Sequence, residues 1–131
     1  MKLLRYAWAA PASLVGLCFV LVAMCGGARA RRVGGTIECC GGNVRTLVAR
    51  LPEGLRFGAI TLGHVIVGLD SHVLDRARPH ELVHVRQYER WGALFFPLYL
   101  GSSLVQWLRG RDPYRDNRFE IEAFDEEGRG R

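Results

Sequence analysis

An uncharged run over residues 6–28 does most to limit what this 131-residue chain can become. Lys2 and Arg5 precede the run, and Arg29, Arg31 and Arg32 close it. As a helix it is longer than a hydrocarbon core requires. What remains is enough for one domain with a modest core. A signal peptide would share the basic start and apolar middle, and Ala28-Arg29-Ala30 has the small-x-small form of a cleavage site. The length of the run and the arginines crowding that site favour a retained transmembrane anchor. The expectation is therefore an anchor over residues 1–31 and a domain over 32–131. Arg45 and Arg50 add positive charge after the run, which places that side in the cytoplasm. Export after signal cleavage is the alternative.

The net charge of +5 comes from arginine, since Lys2 is the only lysine. The arginines are scattered and form no stripe with interleaved aromatics, so nucleic acid is excluded as the expected partner. An anionic membrane surface suits them better. Nothing in the sequence fixes an oligomeric state. Cys18 and Cys25 lie in the apolar run, where cysteine acts as a small hydrophobe. Cys39 and Cys40 are adjacent, lack ligand-pair spacing, and would face opposite sides of a strand.

A second charge-free stretch, residues 91–108, contains Gly92, Pro97 and Gly101. It is at the short limit for spanning. Either it is a buried core helix, or it dips into the membrane with Trp91, Tyr99 and Trp107 near head groups. Residues 32–69 read as β-rich. Gly34-Gly35 turns a hairpin between Arg32-Val33 and Thr36-Ile37-Glu38-Cys39-Cys40. Residues 44–51 suit a short helix ended by Pro52-Glu53-Gly54. Residues 59–69 read as one strand, with Ile60, Leu62, His64 and Ile66 on one face and Thr61, Gly63, Val65 and Val67 on the other. Asp70 or Ser71 caps a helical turn, and Pro79 suits the first position of the next helix. Strands followed by helices make the class α+β.

The chemistry is concentrated in His80-Glu81-Leu82-Val83-His84. Histidines four apart project from one helix face and can share a Zn²⁺ ion. Glu81 lies beside that face, where a carboxylate can take a proton from a metal-activated water and return it to a leaving amine. Two imidazoles leave zinc short of ligands, so a third must come from elsewhere. Gln87 shares the face of His80 and His84 and can orient a ligand.

Downstream, Asp116 or Asn117 can cap a helix that carries Glu120, Glu122 and Ala123. Glu120 and Ala123 share a face, and the small Ala123 permits close approach to the motif helix. Glu120 could instead close a capping box with Asn117, which would leave Glu122 as the ligand. The acids at 125–127 read as a solvated end, and His72 as a surface residue. His64, Tyr114 and Arg118 are the candidates for stabilising an oxyanion. No substrate-binding residue is identified.

With the HExxH motif, the Glu120-Ile121-Glu122-Ala123 segment and the apolar stretch between them, residues 59–127 resemble gluzincin zinc peptidases. The resemblance is to the membrane-associated branch of CAAX-prenyl-type and heat-shock-type proteases. His84-Val85-Arg86-Gln87 also resembles the HExxHxxQ pattern of small bacterial metallopeptidase-like domains. Phe124 stands where that branch usually has an acid. The resemblance implies a small zincin-like α+β domain with a short antiparallel sheet and two active-site helices. It further implies zinc bound by His80, His84 and Glu120, Glu81 as general base, and a peptide or protein substrate. The alternatives are a membrane protein with a structural or partner-binding zinc site, and a lipid-surface module without metal.

Overall fold

The structure, a computed structural model, describes residues 1–130. Helix α1 (Lys2–Cys25) leads into strands β1 (Arg29–Val33) and β2 (Thr36–Cys40), short helix α2 (Val44–Ala49), and strands β3 (Ala59–Leu62) and β4 (Val65–Gly68). Helix α3 (Ser71–Trp91), a 3₁₀ turn at Gly92–Leu94, helix α4 (Phe95–Leu108) and helix α5 (Arg118–Arg129) complete the α+β chain.

The Gly34-Gly35 hairpin forms as the sequence indicates, with Val33 opposite Thr36, although β1 begins at Arg29. The four-stranded sheet has the order β1-β2-β4-β3. It is mixed rather than antiparallel. The crossover through α2 brings β4 alongside β2 in the same direction, with Ile37 beside Val65 and Cys39 beside Val67. The single strand expected at 59–69 is two strands. Gly63, at φ +63°, reverses the chain, so that Leu62 pairs with Val65 and Thr61 with Ile66. A left-handed glycine costs little where another residue would be strained. The reversal changes which side chains share a face: Thr61 now goes with Ile66 and Ile60 with Val67.

The sheet is therefore covered on both sides. On one face, Ile66 packs against Leu74 and Val85 of α3. On the other, Cys39, Val65 and Val67 pack against Val20 and Ala23 of α1 and Val44 of α2. A sheet buried on both faces accounts for the continuous apolar run Val65-Ile66-Val67. Among the described residues, α1 is the one helix long and apolar enough to cross a membrane, and a signal sequence would pass the same test.

Asp70 caps α3, its side chain accepting from the Val73 N–H at 2.8 Å. This cap starts the helix eight residues before Pro79, which lies inside the helix rather than at its first position. Proline has no N–H to give to the carbonyl four residues back, a local weakness. The first two turns are held by Leu74 in the core and by Arg78, whose guanidinium clasps the buried Glu38 carboxylate through Nε and Nη2 at 2.6 and 2.9 Å. Residues 91–108 do not form a buried core helix: Phe95 is the buried residue of α4, whereas Phe96, Leu100, Leu104 and Trp107 are exposed.

A candidate metal centre between two helices

Helices α3 and α5 meet through Ala123, which is fully buried, as a small residue at that place allows. The contact sets Glu120 against the motif. Glu120 Oε2 lies 2.9 Å from His80 Nε2 and 3.4 Å from His84 Nε2, and the two imidazole nitrogens are 3.2 Å apart. His80, His84 and Glu120 are each buried. Ligands about 2.05 Å from a tetrahedral zinc would lie about 3.3 Å from one another. The three observed separations fall close to that value, and these side chains form a group that can hold a metal ion.

The competing roles weighed for Glu120 are resolved by its contacts. Asn117 caps α5, its side-chain oxygen accepting from the Phe119 N–H at 2.9 Å. The Asn117 N–H donates to the Tyr114 carbonyl, so the capping box is not formed and the Glu120 carboxylate is available to the histidines. Glu122 points elsewhere, toward Gln87 and Arg90.

The electrostatics suit a cation site. Burial alone would raise the Glu120 carboxyl, but hydrogen bonds from His80, His84 and Tyr99 outweigh it and hold the group down to about 2. Burial likewise opposes charge on His84, yet the Glu120 carboxylate beside it raises its affinity for a proton above the ordinary value. A carboxylate held in its ionised form by two imidazoles is an arrangement in which a divalent cation can take the place of protons.

The surrounding groups fix the ligands in place. Gln87 Oε1 meets His84 Nδ1 at 2.8 Å, while its amide donates to the Phe119 carbonyl and to Glu122, each at 3.0 Å. One glutamine thus bonds a candidate ligand, on the helix face it shares with His80 and His84, and also ties the two helices together. The Tyr99 hydroxyl donates to Glu120 Oε1 at 2.6 Å. Of the two readings of residues 91–108, the membrane-dipping one put Tyr99 near lipid head groups; α4 instead turns it inward over the site. Phe124, standing where an acid is usual in the families of resemblance, rests its ring on His80 with centroids 4.6 Å apart. One turn further along α5, the Glu127 carboxylate comes within 3.6 Å of His80 Nδ1. Of the acids at 125–127, Asp125 is exposed as the sequence indicates, whereas Glu126 and Glu127 are engaged, Glu126 with Arg86 of α3.

Glu81 lines a cleft of about 420 Å³ together with His80, His84 and Glu120. Its Oε2 accepts from the Thr61 hydroxyl at 2.6 Å. Thr61 reaches it from β3, one of the two edge strands of the sheet. Ile60, Leu62, Phe96 and Leu100 give the cleft apolar walls, and Tyr114 lies at the same cleft. Of the three oxyanion candidates, Tyr114 is the one beside the motif. His64 is on the far side of the sheet hairpin against Ser13 and Tyr6, and Arg118 is exposed at the start of α5.

Thr61, Tyr99 and Glu127 were missed in the sequence. Thr61 and Tyr99 are distant from the motif in the chain and sit within apolar patterns, and Glu127 is one acid among several. No protein-family model, curated protein or solved structure matches this chain.

Proposed function

We propose that the chain is a minimal zincin-like metallopeptidase that hydrolyses peptide bonds, with zinc held by His80, His84 and Glu120. The convergence of the three ligand atoms within 4.8 Å, directly beside a buried glutamate in a cleft, is the observation that carries this reading. A zinc ion held there supplies a Lewis acid for the scissile carbonyl and lowers the pKa of water to near neutrality. Glu81 takes the proton of the attacking water and delivers it to the leaving amine. Thr61 restrains the Glu81 carboxylate during both transfers by bonding one of its oxygens. Tyr114 faces the developing oxyanion from the cleft. The edge of β3 that pairs with no other strand runs past Glu81 and offers main-chain groups to an extended peptide, and the apolar walls favour hydrophobic side chains.

The burial of all three ligand residues also favours a second reading, a zinc site that serves stability or partner binding without catalysis. Metal analysis and peptide hydrolysis by the purified chain and by Glu81→Gln separate the two. The peptidase reading expects about one zinc per chain in both proteins and hydrolysis only by the wild type. Equal hydrolysis by both removes Glu81 from the mechanism. Absence of zinc from the wild type removes the site itself.

A further inference from the structure

The length and apolarity of α1 suit a membrane span, but its packing does not. Contacts with the body run along nearly the whole helix. Near its start the Tyr6 hydroxyl donates to the Gly35 carbonyl at 3.0 Å, and the Tyr6 ring stacks on His64. At its middle the Ser13 hydroxyl accepts from the His64 backbone N–H at 3.0 Å, and Gly16 lies against Val65 so closely that a side chain would not fit. At its end Ala23 is wholly buried, and the Asn43 N–H donates to the carbonyl of Gly26. The 24 residues of α1 extend about 36 Å, close to the thickness of the hydrocarbon core. An upright, docked α1 would therefore carry the whole sheet into the lipid.

The ionisable groups held beside α1 make that costly. The hollow between α1 and the β1–β2 hairpin, at the level of Tyr6 to Leu17, is lined by Arg32 and His64. His64 Nε2 pairs there with Glu89 at 3.0 Å, and Arg5 approaches the same carboxylate. Ionisable groups at that depth are strongly disfavoured. Cleavage as a signal is equally at odds with the packing, because removing α1 would bare Cys39, Val65 and Val67 on one face of the sheet.

Much of α1 is apolar and exposed, with Val15, Leu21 and Val22 each more than 60% accessible. It adjoins α4, since Trp8 packs over Gly92 and Ala9 joins the Phe95 cluster. Apart from Phe96 and Leu100, which wall the cleft, α4 exposes Leu98, Leu104, Val105, Trp107 and Leu108, and is followed by exposed Arg109 and Arg111, which have no acidic partner among the described residues. Apolar faces edged by cations match the interface of an anionic bilayer. We infer that α1 is retained and lies in the plane of the membrane. Together with α4 it forms a monotopic lipid-binding face, and the chain does not cross the bilayer. This inference is independent of the metal.

The full chain with one epitope tag at each end, in sealed vesicles with a net anionic lipid content, tests it. A monotopic chain keeps both tags on one side, so external protease removes both or neither, and before protease is added the membrane-bound protein has its full 14.7 kDa plus tags. Removal of one tag alone means a span, and loss of the N-terminal tag on maturation means a cleaved signal; either overturns the inference. In parallel, Leu21→Glu and Leu104→Glu, both at exposed positions, should weaken partition of the folded protein onto anionic vesicles about tenfold each. Unchanged partition, or a soluble dimer that ignores vesicles, also overturns it.

Discussion

The hydroxyl of Thr61 and the carboxylate of Glu81 are joined across the cleft at 2.6 Å, linking edge strand β3 to the helix that bears the motif. A carboxylate that must accept and return a proton gains from being held in one orientation. The same bond uses a side chain whose only sequence signature is an alternating apolar pattern. Thr61→Val keeps the shape and β preference of the residue but removes the donor. It should reduce peptide hydrolysis about tenfold while leaving zinc content unchanged. Parallel kinetics and metal analysis would check this, and a loss of zinc in Thr61→Val would mean that Thr61 supports the fold rather than Glu81.

Gln87 predicts a different separation. It is 1% exposed and serves His84, the Phe119 carbonyl and Glu122 at once. Gln87→Leu leaves His84 without its orienting acceptor and should weaken zinc binding about tenfold. Glu120→Ala removes a ligand and should abolish tight binding. Glu122→Gln should retain zinc, since that carboxylate faces Gln87 and Arg90. Competition titrations with a chelating dye would rank the three variants, and zinc lost equally from Glu120→Ala and Glu122→Gln would contradict the geometry.

The legible part of this molecule is the part governed by local spacing. HExxH specifies two residues on one helix face, and Gly34-Gly35, Asp70 and Asn117 act within a few residues of themselves. Glu120 could be placed near the motif because Ala123 on the same face allows close approach, yet its rival role as a capping residue could not be dismissed without seeing where Asn117 donates. The misread strand at 59–69 has a specific cause. The apolar alternation continues through Gly63-His64, and only the positive φ of Gly63 reveals the reversal that moves Thr61 to the α3 face. Pro79 misleads for a similar reason, because tertiary contacts of Leu74 and Arg78 stabilise helical turns ahead of it. The docking of α1 was illegible because apolarity reports the wish to leave water and does not distinguish lipid from a sheet.

The Glu38 network gives the fold a pH dependence that does not involve the metal. Hydrogen bonds from Arg78, opposed by burial and aided by the charges of Arg78 and Arg31, hold the Glu38 carboxyl below its ordinary value. A carboxyl depressed in the folded state binds its proton more readily when unfolded. Its contribution is therefore complete above the unfolded value of about 4.3 and is lost as pH falls through the lower folded value. Urea unfolding between neutral pH and pH 3 should show this loss in the wild type and a shallower dependence in Glu38→Gln. At neutral pH the variant should be less stable by about 2 kcal/mol, a reduced figure because Arg78 is partly exposed and keeps Asp75. A variant as acid-sensitive as the wild type would exclude Glu38 as the group responsible.

Two glycines test whether α1 belongs to the domain. Gly63 sits at φ +63° with the backbone of Ser13 directly against its Cα, so a methyl group would both strain the turn and push α1 away. Gly101 lies inside α4 with open space where a side chain would go. Gly63→Ala should cost more than the roughly 1–2 kcal/mol of the left-handed conformation alone, because the docked helix must also shift. Gly101→Ala should instead stabilise by up to about 1 kcal/mol, the difference in helix propensity. If α1 were an independent span that touches the body only loosely, Gly63→Ala would cost no more than the turn strain, and the same substitution in a chain lacking α1 would have an equal effect. Chemical unfolding of both variants in detergent therefore reads directly whether the helix and the domain with the candidate metal site unfold as one unit.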